Sequence, residues 1–132
     1  MDNKTYIITT CCKDKDEAIE LLPAIHRYLS ERIRWVYDIS IEEGLPMLIF
    51  SGKYGLLQTE AFIPYYDKKL EKEDVSMIVG KLMRDFNQFQ IGKVVFYGRA
   101  ENTEGWEPYY QAIREVCTRL QILLEEHITH LD

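Results

Sequence analysis

The sequence predicts an α/β fold: a three-layer α/β/α sandwich with a small, mainly parallel sheet. Three observations carry this. Short runs of β-branched, apolar and aromatic residues alternate with stripes at helical spacing, the pattern of strands buried on both faces with helices between them. The chain has 132 residues, enough for one domain with one core, so a single domain spans 1–132. Its 46% hydrophobic content is that of an ordinary globule, with no repeat, linker or low-complexity segment to divide it.

Thr5 to Thr10 reads as the first buried strand. Asp14, with Glu17 three residues later, resembles a capping box that opens a helix. Ala18, Leu21, Leu22, Ile25 and Leu29 continue that helix. Pro23 lies inside the pattern and either kinks the helix or marks its regular start. Residues 33–43 admit two readings. Ile33, Trp35, Tyr37, Ile39 and Ile41 alternate with more polar residues, which suits an edge strand. A helical face over Ile33, Val36, Tyr37 and Ser40 would stop at Gly44. Pro46 to Phe50 is a second strand. Glu71 to Gln90 carries a helical stripe from Val75 to Phe89 that Gly92 should end. Val94 to Tyr97 is a third strand, ended by Gly98. Pro108 to His127 reads as a long final helix with Leu123 and Leu124 inside.

Charge and cysteines narrow the function. Sixteen basic residues against twenty-two acidic give a net charge of -6, which argues against a protein coated in nucleic acid and leaves room for a small basic pocket. No apolar run approaches the roughly 20 residues that cross a bilayer, and the N-terminus does not read as a signal peptide. A cytoplasmic protein with no membrane partner is expected. Cys11, Cys12 and Cys117 read as free thiols. No metal site is expected: there is no C-x-x-C pair, and His127 and His130 stand three apart. No cofactor is implied.

Ligands of open α/β sheets bind outside the carboxyl ends of the strands. The predicted strands end in Cys11-Cys12-Lys13, in Ser51-Gly52-Lys53-Tyr54-Gly55 and in Gly98-Arg99. Parallel strands would gather these on one edge, where two lysines, an arginine and backbone amides suit phosphate or carboxylate. Ser51 to Gly55 is not a phosphate-binding P-loop. It reads as a tight turn with Gly55 at positive φ and Tyr54 packed over the sheet end, and Lys53 as an anion ligand or, if buried, an amine nucleophile. A helix start or Lys13 near Cys11 and Cys12 could generate a thiolate; the alternative is a pair of small core residues. The long connection from Phe50 to Leu70 reads as a wall of the site. In it Tyr66 stacks or anchors, and Asp67 acts as acid/base or caps the next helix. Gly98 allows close approach of backbone or ligand, and Arg99 adds an anion contact.

The stretches "LPMLIFSGKYGLL", "IPYYDKKL" and "VVFYG" before "PYYQAI" make the chain similar to small bacterial and phage domains related to the YaaA peroxide-stress proteins. Those domains show an early cysteine–lysine motif, then "SAKYGL" and "PYDxxL". The specific matches are Ser51, Lys53, Tyr54, Gly55, Leu56, Tyr66, Asp67 and Leu70. Gly52 stands where the family has alanine, Tyr65 is additional, and either Cys11 or Cys12 fills the early cysteine position. The resemblance implies a three-layer α/β/α fold, a helix over 31–43 and a nucleotide-related site; it supplies no reaction. Two function classes follow. One is a small enzyme on a nucleotide or nucleobase, with Lys13, Lys53 and Arg99 holding the anion, Lys53, Asp67 and Cys11 as chemical groups, and Cys12, Ser51, Tyr54, Gly55, Tyr66 and Gly98 shaping the pocket. The other is a non-catalytic module in a nucleic-acid-processing or stress-response complex. Direct nucleic-acid binding is a third, weaker option. The nine tyrosines suit a dimer face or a pocket equally.

Overall fold

The computed structural model describes residues 3–132. In chain order the strands and helices are β1 (Lys4–Thr10), β2 (Leu22–Pro23), α1 (Ala24–Arg27), α2 (Glu31–Glu43), β3 (Met47–Ser51), β4 (Gly55–Gln58), β5 (Phe62–Ile63), α3 (Val75–Phe89), β6 (Ile91–Gly98), α4 (Glu107–Leu120) and β7 (Leu123–Ile128), with a 3-10 turn at Lys72–Asp74 before α3. Five strands form one sheet in the order β4-β3-β1-β6-β7. β1, β3, β6 and β7 run parallel, and β4 returns antiparallel from β3. This is the α/β architecture expected, with two strands of the sheet, β4 and β7, and the separate pair β2 and β5 that the residue pattern did not announce.

The central strands are apolar on both sides because both faces are covered. Ile7, Ile8, Ile49, Phe50, Val94 and Phe96 are buried. The chain moves one way across the sheet from β1 to β3 and the other way from β3 to β6 to β7. Right-handed crossovers therefore place α2 on one face and α3 with α4 on the other. α3 buries Val75, Ile78, Val79, Leu82 and Phe86, the predicted stripe. α2 buries Ile33 and Val36, is capped by the Ser30 side chain and stops at Gly44 with φ 67°, so the helical reading of 31–43 holds and no edge strand forms there. Among the described residues no helix is long and apolar enough to cross a membrane.

The helix expected from Asp14 to Leu29 does not form. Arg27, fully buried, draws the carbonyls of this segment to its own guanidinium. Nη1 donates to Asp16 O (2.6 Å) and Ala18 O (3.0 Å), and Nη2 to Glu20 O (2.7 Å) and Ile63 O (3.1 Å). Those oxygens are then unavailable to a helical ladder. Ile19 is left 99% exposed, and the regular turn begins only after Pro23. The long final helix is also shorter than its spacing suggested. Gln121 adopts a left-handed conformation (φ 56°) and closes α4, and Leu123–Ile128 adds to the sheet edge as β7, His127 opposite Tyr97. The pairing satisfies the open edge of β6, a gain invisible to local periodicity. His127 is thus a strand residue stacked on Tyr97 rather than a helix-end residue. Gln90, not Gly92, ends α3; Gly92 lies inside β6.

Candidate functional site

β1 and β6 lie side by side, but the chain leaves them in opposite directions, so their carboxyl ends open a cleft. Its volume is about 930 Å³. The segment after β1 lines it with Cys11, Cys12, Lys13 and Lys15, the start of α2 with Glu31 and Arg32, the loop after β6 with Glu104 and Trp106, and α4 with Tyr109.

Arg32 forms part of the floor. It is 2% exposed. Nη1 donates to Thr9 Oγ1 (2.6 Å) and Thr10 O (2.9 Å), and Nη2 to Cys11 O (3.3 Å). Its guanidinium lies 4.8 Å from the Trp106 ring centre, and among the described residues its Nε has no hydrogen-bond partner. Burial lowers its pKa, yet a guanidinium keeps its charge. Lys15 is the second buried cation of the cleft, 9% exposed. A bridge from Lys15 to Tyr28 turns it inward, its Nζ sits 4.7 Å from the Tyr66 ring centre, and its hydrogen bond to Lys13 O is long at 3.3 Å. Among the described residues neither cation has a carboxylate within ion-pair distance, and Asp132 acts on Arg32 only from farther off. The carboxylates that line the cleft, Asp14, Glu31, Asp67, Glu104 and Asp132, are all exposed at its rim, as are Lys13, Lys68 and Lys69.

Behind the wall runs a chain of buried hydroxyls. Ser51 Oγ accepts from the amides of Lys53 and Tyr54, each at 3.1 Å. Both its lone pairs are then used, so its proton goes to Tyr66 Oη (2.9 Å) and Tyr66 donates in turn to Tyr28 Oη. Burial pushes the pKa of Tyr66 and Tyr28 well above the ordinary phenol value. Tyr109 Oη accepts from the Leu70 amide (3.2 Å), lies 3.5 Å from Cys11 Sγ, and its pKa is likewise raised by burial.

The residues singled out from the sequence separate into groups. Cys11, Cys12, Lys13 and Asp67 line the cleft. Lys53 does not. It stands exposed on the β3–β4 turn, beside a second hollow of about 570 Å³ that Asp67 also borders. The burial an amine nucleophile needs is not found there. Tyr54 packs edge-on against Tyr66, with ring centres 5.1 Å apart. Gly55 has φ 77°, and a Cβ there would meet Asp85 Oδ2 at 2.4 Å. Gly98 makes room for protein rather than ligand: a Cβ would come within 2.8 Å of Trp106 and of Tyr110 Oη. Arg99 pairs with Asp132. Asp67 does not cap the next helix, a role taken by Glu71 and Asp74. No helix begins at Asp14 to polarise the thiols, and burial raises the Cys12 pKa to about 11, so Cys12 is a thiol that donates to Asp14 O (3.0 Å), not a thiolate.

Sequence reasoning missed Lys15, Arg32 and the lining role of Trp106. Arg32 left a signal: it is four residues before Val36 and eight before Ser40, a charged residue on the buried face of α2. Lys15 left none, because only the bridge to Tyr28 turns it inward. Among the described residues no cluster of three or more His, Cys, Asp or Glu side chains could hold a metal. Compared with known family models, curated proteins and solved structures, the chain finds no match.

Proposed function

We propose that this domain binds a nucleotide-like anion in the cleft between the carboxyl ends of β1 and β6. The observation that carries the reading is the pair of buried cations, Lys15 and Arg32, at the switch point of the sheet, with no carboxylate of the described residues in ion-pair distance. Trp106 and Tyr109 add aromatic surface of the kind a base requires. The similarity of the Ser51 to Leu70 stretch to the YaaA-related domains supports the same ligand class.

A thermal-shift panel of nucleobases, nucleosides, nucleotides and short oligonucleotides tests this on wild type, Lys13→Glu and Lys53→Ala. Ligand at a hundred times its dissociation constant stabilises by about 2.7 kcal/mol, a shift of several degrees for a domain of this size. The shift should weaken in Lys13→Glu, at the rim of the cleft, and persist in Lys53→Ala, outside it. No shift with any compound rejects the reading. A shift abolished by Lys53→Ala alone would move the site to the second hollow.

A catalytic version of the reading draws on Cys11, whose buried thiol meets the Tyr109 hydroxyl in the cleft. It predicts conversion of the bound nucleotide that Cys11→Ser abolishes with binding retained. Binding without turnover leaves a ligand-sensing module.

A further inference from the structure

We propose that the floor of this cleft is built for one phosphate monoester dianion, contacted by the Lys15 ammonium and balanced by the charge of Arg32. The inference deepens the nucleotide-like reading and rests on it. It begins from an imbalance. A buried charge is normally paired, because the desolvation cost of an isolated ion is large. Lys15 and Arg32 are each more than nine-tenths buried, and among the described residues neither has a carboxylate within ion-pair distance.

Arg27 shows what a purely structural buried cation looks like in this same chain. Its two terminal nitrogens are used by four carbonyls, and it lies outside the cleft. Lys15 differs on both counts. Its ammonium has three donors, one of them spent on a long bond to Lys13 O, and it lines the cleft. Arg32 also lines the cleft, and that is what sets it apart from Arg27, since among the described residues the Nε of each arginine has no partner. Both cations line the same cleft, as does Cys12. The amino end of α2 does not supply the anion contact. Its Arg32 amide already donates to Asp132 O at 2.8 Å, and its Ile33 amide to Ser30 Oγ at 3.1 Å.

Charge matching selects the ligand. Two buried positive charges balance a phosphate monoester, whose second pKa near 6 makes it largely a dianion at pH 7.5. The rim acts in the opposite direction. Its exposed carboxylates outnumber its exposed lysines, so phosphates extending past the floor meet net repulsion. The geometry therefore favours a nucleoside monophosphate over both the nucleoside and the triphosphate.

The experiment is a calorimetric titration at pH 7.5 with each common nucleoside, its 5′-monophosphate, its 5′-triphosphate and inorganic phosphate. The proteins are wild type, Lys15→Met and Lys15→Arg. The monophosphate should bind wild type at least tenfold tighter than its nucleoside and tighter than its triphosphate. Lys15→Met should erase the difference between monophosphate and nucleoside, and Lys15→Arg should restore part of it. Removing an ammonium that has no carboxylate partner among the described residues should also leave Lys15→Met melting no lower than unliganded wild type, whereas inorganic phosphate should raise the melting temperature of wild type and not that of Lys15→Met. Nucleoside and monophosphate binding equally would overturn the phosphate assignment and leave the cleft reading standing. No binding by any compound would remove both. A Lys15→Met protein that melts far below wild type, or fails to fold, would make Lys15 structural and overturn the proposal.

Discussion

The chain of hydroxyls from Ser51 through Tyr66 to Tyr28 has a direction, and that direction can be tested by deleting its members. Tyr66→Phe removes one oxygen but breaks two buried hydrogen bonds, stranding the Ser51 proton and the Tyr28 oxygen. Tyr28→Phe breaks only the bond it receives from Tyr66. At about 1–1.5 kcal/mol for each net buried bond, Tyr66→Phe should cost about 2–3 kcal/mol and Tyr28→Phe about half of that. Once Tyr66 is Phe, the remaining Tyr28 hydroxyl is a buried group without its donor, so replacing it as well should cost nothing further or regain stability. The double variant should thus be about 1–2 kcal/mol more stable than the sum of its parts predicts. Urea denaturation of the four proteins of the cycle measures this. At roughly 4 °C per kcal/mol for a chain of this length, Tyr66→Phe should melt about 10 °C below wild type. The rings remain, so the edge contact of Tyr66 with Tyr54 is kept and the effect is that of the hydroxyls. Strictly additive losses, or a Tyr66→Phe loss below about 0.5 kcal/mol, would refute the directed chain.

Two further outcomes follow from the same neighbourhood. Gly55→Ala should destabilise by about 3 kcal/mol or more, because it combines a positive φ with a Cβ driven onto Asp85 Oδ2, the acceptor of the Leu56 amide; chemical denaturation measures it, and a loss under about 1 kcal/mol contradicts the geometry. Cys12 should be alkylated slowly at pH 8, with its rate rising through a midpoint near pH 11, because burial favours the neutral thiol and the thiolate is the reactive form; peptide mapping by mass spectrometry after timed alkylation reads the profile, and a midpoint at or below the ordinary cysteine value contradicts it.

Much of the fold was legible because its signals are local. Thr5 to Thr10, Pro46 to Phe50 and Val94 to Tyr97 are apolar on both faces, and a strand buried on both faces must be so. The stripe from Val75 to Phe86 is a helix in any setting that covers it. The stretch 14–29 misled because its spacing is helical while its carbonyls are claimed by one buried arginine, Arg27, a long-range competition that spacing does not record. Residues 121–128 misled for a related reason. A parallel strand at a sheet edge is chosen by the edge it completes, and β6 presents that edge only after the sheet has formed.

The sequence by itself determined the class of fold and the edge of the sheet on which a cleft opens, since both depend on periodicity and on the rule that loops at strand carboxyl ends are free to vary. Tertiary structure alone decided which residues meet there. It placed Lys53 outside the cleft on an exposed turn and used Gly98 to seat Trp106. It also turned Lys15 and Arg32 inward, with no carboxylate of the described residues in ion-pair distance. The physical reason is that a side chain's charge is written in its identity, whereas its burial and its partners are set by segments far away along the chain. For Lys15 that segment is Tyr28, and for Arg32 it is the end of β1 with Trp106.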